Sequence, residues 1–170
     1  VLALQGARPR VPGGAMIYQL RPDDLDLARR VAAGRNGVKE QAGVRSNKIA
    51  DASDFDIHFS GVLGEIAVAR LAGVEIDKVF HLCGDAGYDL RLGGYTVEVK
   101  SRRKRGQDLI ILPDMADFRA DHCILCWVTG GSEVEVVGIV SRQRFRMHAL
   151  PVTLAHRPRL LMPWGNLRFI

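Results

Sequence analysis

Tyr88-Asp89-Leu90-Arg91-Leu92-Gly93-Gly94-Tyr95-Thr96-Val97-Glu98-Val99-Lys100 is the stretch that decides the fold. Residues alternate with period two on both sides of a Gly-Gly dipeptide that accepts positive φ angles, the pattern of a β-hairpin with a tight turn. With Gly93 and Gly94 as the turn, Leu92 faces Tyr95, Arg91 faces Thr96, Leu90 faces Val97 and Asp89 faces Glu98. Leu90, Val97 and Val99 then share an apolar face, while Asp89, Glu98 and Lys100 share the other. Directly opposed carboxylates have Cβ atoms about 4.5 to 5.5 Å apart, which is destabilising unless something cationic lies between them.

Upstream, Pro22, Asp23 and Asp24 open an apolar-periodic run with acids in its first turn and Arg29 and Arg30 late, which predicts a helix ending at Gly34. Arg35 to Lys48 has no clean period and reads as an exposed loop. From Asp54 the period is helical again up to a Gly73 stop, with Glu65 inside the apolar run. Lys78 to Leu82 is a candidate strand. Downstream, Leu109 to Leu112 reads as a strand and Pro113 to Ala120 as a short helix. Asp121 to Val128 and Glu133 to Val140 form a second hairpin pattern around Gly130-Gly131, and Ser141 caps a basic helix from Arg142 to His148. Val1 to Ala15 lacks any period and is expected to be a flexible leader, with Met16 as the natural start and residues 16–170 as a single domain. The order of elements is that of an α/β or α+β core.

The chain has 170 residues, 24 Lys+Arg against 19 Asp+Glu for a net charge of +5, and 47% hydrophobic residues. That length suits one domain with one substantial core. No apolar run approaches the roughly 18 residues of a membrane span, and Arg8, Pro9, Arg10 and Pro12 break any signal-peptide core, so a soluble cytoplasmic protein with no membrane partner is expected. Three cysteines are too few for a disulfide framework. Cys123 and Cys126, three apart in an apolar strand, fall on opposite faces and read as core thiols. His58 and His81 read as surface or capping histidines. Asp51 to Asp56 fails as a calcium loop because Asp56 stands where glycine is required, and no Gly-x-x-x-x-Gly-Lys phosphate loop occurs, which removes ATPase readings.

Charge is unevenly spread. Lys100, Arg102, Arg103, Lys104 and Arg105 form one run, and Val136 to Ile170 carries six arginines and no acid. Such asymmetry fits either a polyanionic partner or a solvated basic face. Phe145, Trp164 and Phe169 read as core or edge packing rather than base-stacking platforms, which favours duplex DNA gripped by its backbone. The polar face of the first hairpin also has two readings: a solvent-facing side on which Lys100 neutralises the acids, or a divalent-cation site in which carboxylates and the Val99 carbonyl supply hard oxygen ligands.

These residues resemble the PD-(D/E)xK nuclease superfamily, in its phage-type and restriction-type members. Gly87-Tyr88-Asp89-Leu90 looks like the first acidic element, Val97-Glu98-Val99-Lys100 like the Glu-x-Lys strand, and Gly61-Val62-Leu63-Gly64-Glu65 like the acid-bearing helix. Tyr88 stands where the nominal signature has proline. The resemblance covers about Phe55 to Met147. It implies an α/β fold with a restriction-endonuclease-like αβββαβ core, a central mixed sheet flanked by helices, and metal-dependent hydrolysis of DNA. By resemblance, Asp89, Glu98 and Glu65 would bind Mg²⁺ or Mn²⁺, aided by the Val99 carbonyl, and Lys100 would position the attacking water. Gln107 would assist. Arg102, Arg103, Lys104, Arg105, Arg142, Arg144 and Arg146 would contact the phosphate backbone. A catalytically inactive nucleic-acid-binding or assembly module on the same fold is the alternative. Many relatives dimerise, so a homodimer is a candidate assembly.

Overall fold

The computed structural model describes residues 15–41, 53–76, 87–130 and 132–169. Residues 1–14 of the leader, residues 42–48 of the expected loop and the Lys78 to Leu82 strand, with His81, lie outside them. The fold is α/β. A five-stranded mixed sheet runs in the order β1 (Met16–Gln19), β6 (Glu133–Ser141), β5 (His122–Trp127), β3 (Tyr95–Arg102), β2 (Leu90–Leu92). Only the β3–β5 pairing within it is parallel. The second sheet is antiparallel, in the order β4 (Leu109–Ile111), β8 (Arg157–Met162), β7 (Leu150–Leu154).

Two apolar clusters sit on opposite faces of the main sheet. Val97, Val99, Ile124, Cys126, Val134 and Val136 pack with α1 (Pro22–Gln41) and α2 (Asp54–Ala72). Cys123, Leu125, Trp127, Val137 and Val140 pack with Leu109, Ile111 and Met162 of the small sheet and with Phe145 of α3 (Arg142–His148). Cys123 and Cys126 are thus buried on opposite faces, as their spacing predicts.

The first hairpin forms in the expected register over Leu90↔Val97, Arg91↔Thr96 and Leu92↔Tyr95, with Gly93 at φ 55° and Gly94 at φ 87° making the turn. It departs at Asp89. Its N–H donates to the carbonyl of Val97 at 2.9 Å and its carboxylate takes the Val99 N–H, so the ladder ends at Leu90↔Val97 and does not pair Asp89 with Glu98.

Helix α2 is capped by the Ser53 hydroxyl, which accepts from the Asp56 N–H, and stops at Gly73 in the left-handed conformation. It lies close on β3: a Cβ at Gly64 would fall 2.1 Å from Ser101 Oγ. Helix α1 is anchored by Asp24, fully buried, which accepts from Tyr18 Oη at 2.8 Å, Arg70 Nε at 3.0 Å and the Arg21 N–H at 3.1 Å. One carboxylate therefore ties β1, α1 and α2 together. Burial pushes its carboxyl up, but these donors outweigh burial and hold it below the ordinary value.

Three expectations are corrected. The first helix does not end at Gly34 but runs through Gly34 and Gly37 to Gln41, so the expected loop begins later. Each internal glycine costs about 1 kcal/mol of helix propensity, and the extra turns are compensated by Arg35 reaching α2. Pro113 to Ala120, where the αβββαβ order calls for a helix, is a run of turns with Met115 at φ 55°. Here Asp117 Oδ1 takes the Leu112 N–H at 2.8 Å and Asp114 Oδ1 the Ala116 N–H, side-chain bonds that compete with helical ones. Strands β1, β7 and β8 were not expected from the sequence.

Candidate functional site

Because Val97 and Val99 pack beneath α2, alternation projects Glu98 and Lys100 from the other face of β3. Lys100 Nζ donates to Glu98 Oε1 at 2.8 Å and lies 3.6 Å from Asp117 Oδ2. Burial works against the Lys100 charge, but Glu98 and Asp117 outweigh it and raise the ammonium above its ordinary value. Asp117 is a residue that sequence reasoning missed; it was assigned to a helix that does not form.

Asp89 stands at the edge of β3 where β2 stops. Its Oδ2 accepts the Val99 N–H at 2.7 Å. In an extended strand a residue's N–H and C=O point to the same side, so the Val99 carbonyl also faces this edge. Burial first, then the charges of Glu65 and Glu98, push the Asp89 carboxyl well above the usual carboxylate range, against the Val99 N–H and Lys100. Asp89 therefore lies within the field of one acid from the helix and one from the hairpin.

Glu65, on α2, is buried and held by Arg35 in a bidentate pair, Nη1 to Oε1 at 2.6 Å and Nη2 to Oε2 at 2.9 Å. Arg35 was placed in a loop by the sequence reading. Its spacing from Ala28, Val31 and Ala32 at helical intervals was the available signal.

Among the described residues, Glu65 pairs with Arg35, Glu98 and Asp117 with Lys100, and Arg102 also lies in the field of Asp117, so Asp89 is the carboxyl of this cluster with no ion pair among them. No group of three or more His, Cys, Asp or Glu side chains among the described residues is gathered as a ready ligand cage. Glu65 is turned to Arg35, Glu98 to Lys100 and Asp89 to Val99. The donor chemistry nonetheless suits a hard divalent cation: oxygen ligands only, and one carboxylate whose ionised form is under-compensated. No family model, curated protein or solved structure matches this chain.

The expected phosphate contacts divide. Arg102 is engaged inside the fold, donating from Nε to the Asp108 carbonyl and from Nη2 to the Ile110 carbonyl, which joins β3 to β4. Arg105 forms a bidentate pair with Glu135, its Nε 2.8 Å from Oε2. Gln107 Oε1 accepts the Lys104 N–H and its carbonyl accepts Trp127 Nε1, a turn-bracing role. Arg103, Lys104 and Arg146 are exposed, as is Arg142, whose Nη1 donates to the Arg119 carbonyl. Arg144 is half-buried, with its Nε lacking a partner. Phe145 is fully buried as expected, but Phe169 is 52% exposed, unlike a packing residue. No helix among the described residues is long and apolar enough to cross a membrane.

Proposed function

We propose that this protein is a Mg²⁺ or Mn²⁺ dependent nuclease that hydrolyses DNA phosphodiester bonds, built on a restriction-endonuclease-like core. The observation that carries the reading is Asp89 at the open edge of β3, its charge under-compensated between Glu65 and Glu98, with a Lys ammonium two residues beyond Glu98. Glu65, Asp89, Glu98 and the Val99 carbonyl would hold the cation, which when bound supplies a Lewis acid for water and phosphate. Lys100, kept charged by Glu98 and Asp117, orients water and offsets charge developing on phosphate; it is a cation and not a proton acceptor. Arg35 fixes the direction of Glu65. Exposed Arg103, Lys104, Arg142 and Arg146 would contribute backbone affinity.

Plasmid cleavage in Mg²⁺ and in Mn²⁺ tests this. Glu98→Gln and Lys100→Met should each lower the rate by at least about a hundredfold, the scale of losing one transition-state charge contact, while DNA retention persists. Equal cutting by wild type and both variants would reject the site. A second reading rests on the pairing of each acid with a partner of its own: a nucleic-acid-binding or assembly module that does not cut. Salt-sensitive DNA retention with no metal-stimulated cleavage supports it.

A further inference from the structure

A cavity lies on the α2-facing side of the main sheet, at the start of β3 and away from the acids. Tyr95 and His122 floor it, α3 contributes Arg144 and Met147, and Arg168 and Phe169 close one wall. Its volume is about 640 Å³, within the usual range of small-ligand pockets.

The lining has a consistent chemistry. It carries Arg144, Arg168 and His122 and no acid, so it favours an anion. Its rings are unusually available: Tyr95 is 53% and Phe169 52% exposed, and Tyr95 meets His122 edge to face at 5.1 Å. Two nitrogens at its base, His122 Nδ1 and Arg144 Nε, are shut from solvent without a hydrogen-bond partner in the fold. Buried polar atoms are satisfied in the great majority of cases, so two orphans beside one cavity call for an explanation.

The wall is built deliberately. Arg168 exchanges backbone hydrogen bonds with Ile139 at 2.8 and 3.0 Å, and the chain lies flat on β6 because residue 138 is glycine: a Cβ there would come 2.8 Å from the Arg168 carbonyl oxygen and Leu167 Cβ. That contact sets Phe169 beside the cleft.

We infer that this cleft binds a nucleotide unit, its base against Tyr95 and Phe169 and its phosphate on Arg144 and Arg168. A free nucleotide and an unpaired residue of a nucleic-acid strand share this chemistry. Tyr95 lies three residues before Glu98 on β3, about 10 Å along the strand, a span one strand of nucleic acid could bridge. The inference stands apart from the cutting reaction, since none of its residues belongs to the acidic cluster.

The test is calorimetric titration of the full chain in EDTA with dAMP, with inorganic phosphate and with a short 5′-phosphorylated oligothymidine. Saturable binding of dAMP or the oligonucleotide, tighter than phosphate, is expected. Phe169→Ala, at an exposed position, should weaken it about fivefold or more, Phe169→Trp should restore it, Arg144→Met should weaken it about tenfold, and Glu98→Gln should leave it unchanged. Binding of dAMP identifies a free nucleotide, and binding of the oligonucleotide alone identifies a strand. Absence of saturable binding, affinity no better than phosphate, or unchanged affinity in both Phe169→Ala and Arg144→Met overturns the inference. Retained binding in a chain that does not cut DNA would reject the nuclease reading and leave this one standing.

Discussion

Replacing Asp89 with asparagine should make the metal-free protein more stable. Asp89 is enclosed among like charges, opposed by the Lys100 ammonium and by a hydrogen bond from the Val99 N–H, which an asparagine oxygen can still receive. At an effective dielectric of about 20, two unit charges some 6 Å apart interact by about 3 kcal/mol. Lys100 offsets part of the repulsion from the two acids, so a gain of roughly 1 to 3 kcal/mol is expected. The pH dependence has a definite sign. A carboxyl raised on folding is protonated in the folded state over a window in which the unfolded chain is already ionised, so wild-type stability falls as pH rises from the ordinary carboxyl range toward the folded value. The variant lacks that slope, so its advantage should grow across this window and then level off. Urea titrations followed by tryptophan fluorescence in EDTA, from mildly acidic to neutral pH, measure both quantities. A variant that is less stable than wild type, or that keeps the wild-type pH slope, would refute the electrostatic picture of the cluster.

Asp24→Asn should cost about 2 kcal/mol at neutral pH, a buried pair broken beside an Arg70 that retains some water. The Asp24 carboxyl is held low, so its contribution is full above the ordinary carboxyl range and lost as pH falls through the folded value; denaturation curves of wild type and variant should converge in acid. Gly64→Ala should destabilise by about 1 to 3 kcal/mol through its clash with Ser101 Oγ, and in a double-mutant cycle Ser101→Ala should recover part of that loss. Burial raises the Cys123 and Cys126 thiols, so Ellman's reagent should label at most one cysteine per native chain and three after denaturation; two or more rapid labels would contradict the packing.

Much of the central architecture was legible because local rules and tertiary packing agree there. Gly93-Gly94 and the flanking alternation define the hairpin, Ser141 the start of α3, and the three-residue offset of the two core cysteines their opposite faces. The failures share a cause in long-range partners. Arg35 keeps α1 helical past two glycines because Glu65 is waiting on another helix. β7 and β8, interrupted by Pro151 and Pro158, carry weak strand patterns, and β8 is held by pairing to β4 across the intervening chain. The end of the ladder before Asp89 was invisible to a register counted outward from the turn, since a hydrogen-bond ladder assumed to be regular cannot report where it stops. For the site, residue types and spacing were readable, whereas the countercharges Arg35 and Asp117 come from segments with no motif of their own.

The early end of β2 leaves the second half of β3 without a strand neighbour on that side among the described residues. A strand rim of this kind, where Asp89 Oδ2 takes the Val99 N–H, can still invite an extended segment from another molecule to dock and begin stacking. The under-compensated Asp89 carboxyl beside it makes such docking costly, since an incoming strand would close over a group already crowded by like charge. The same charge that burdens the isolated fold thus also guards this rim.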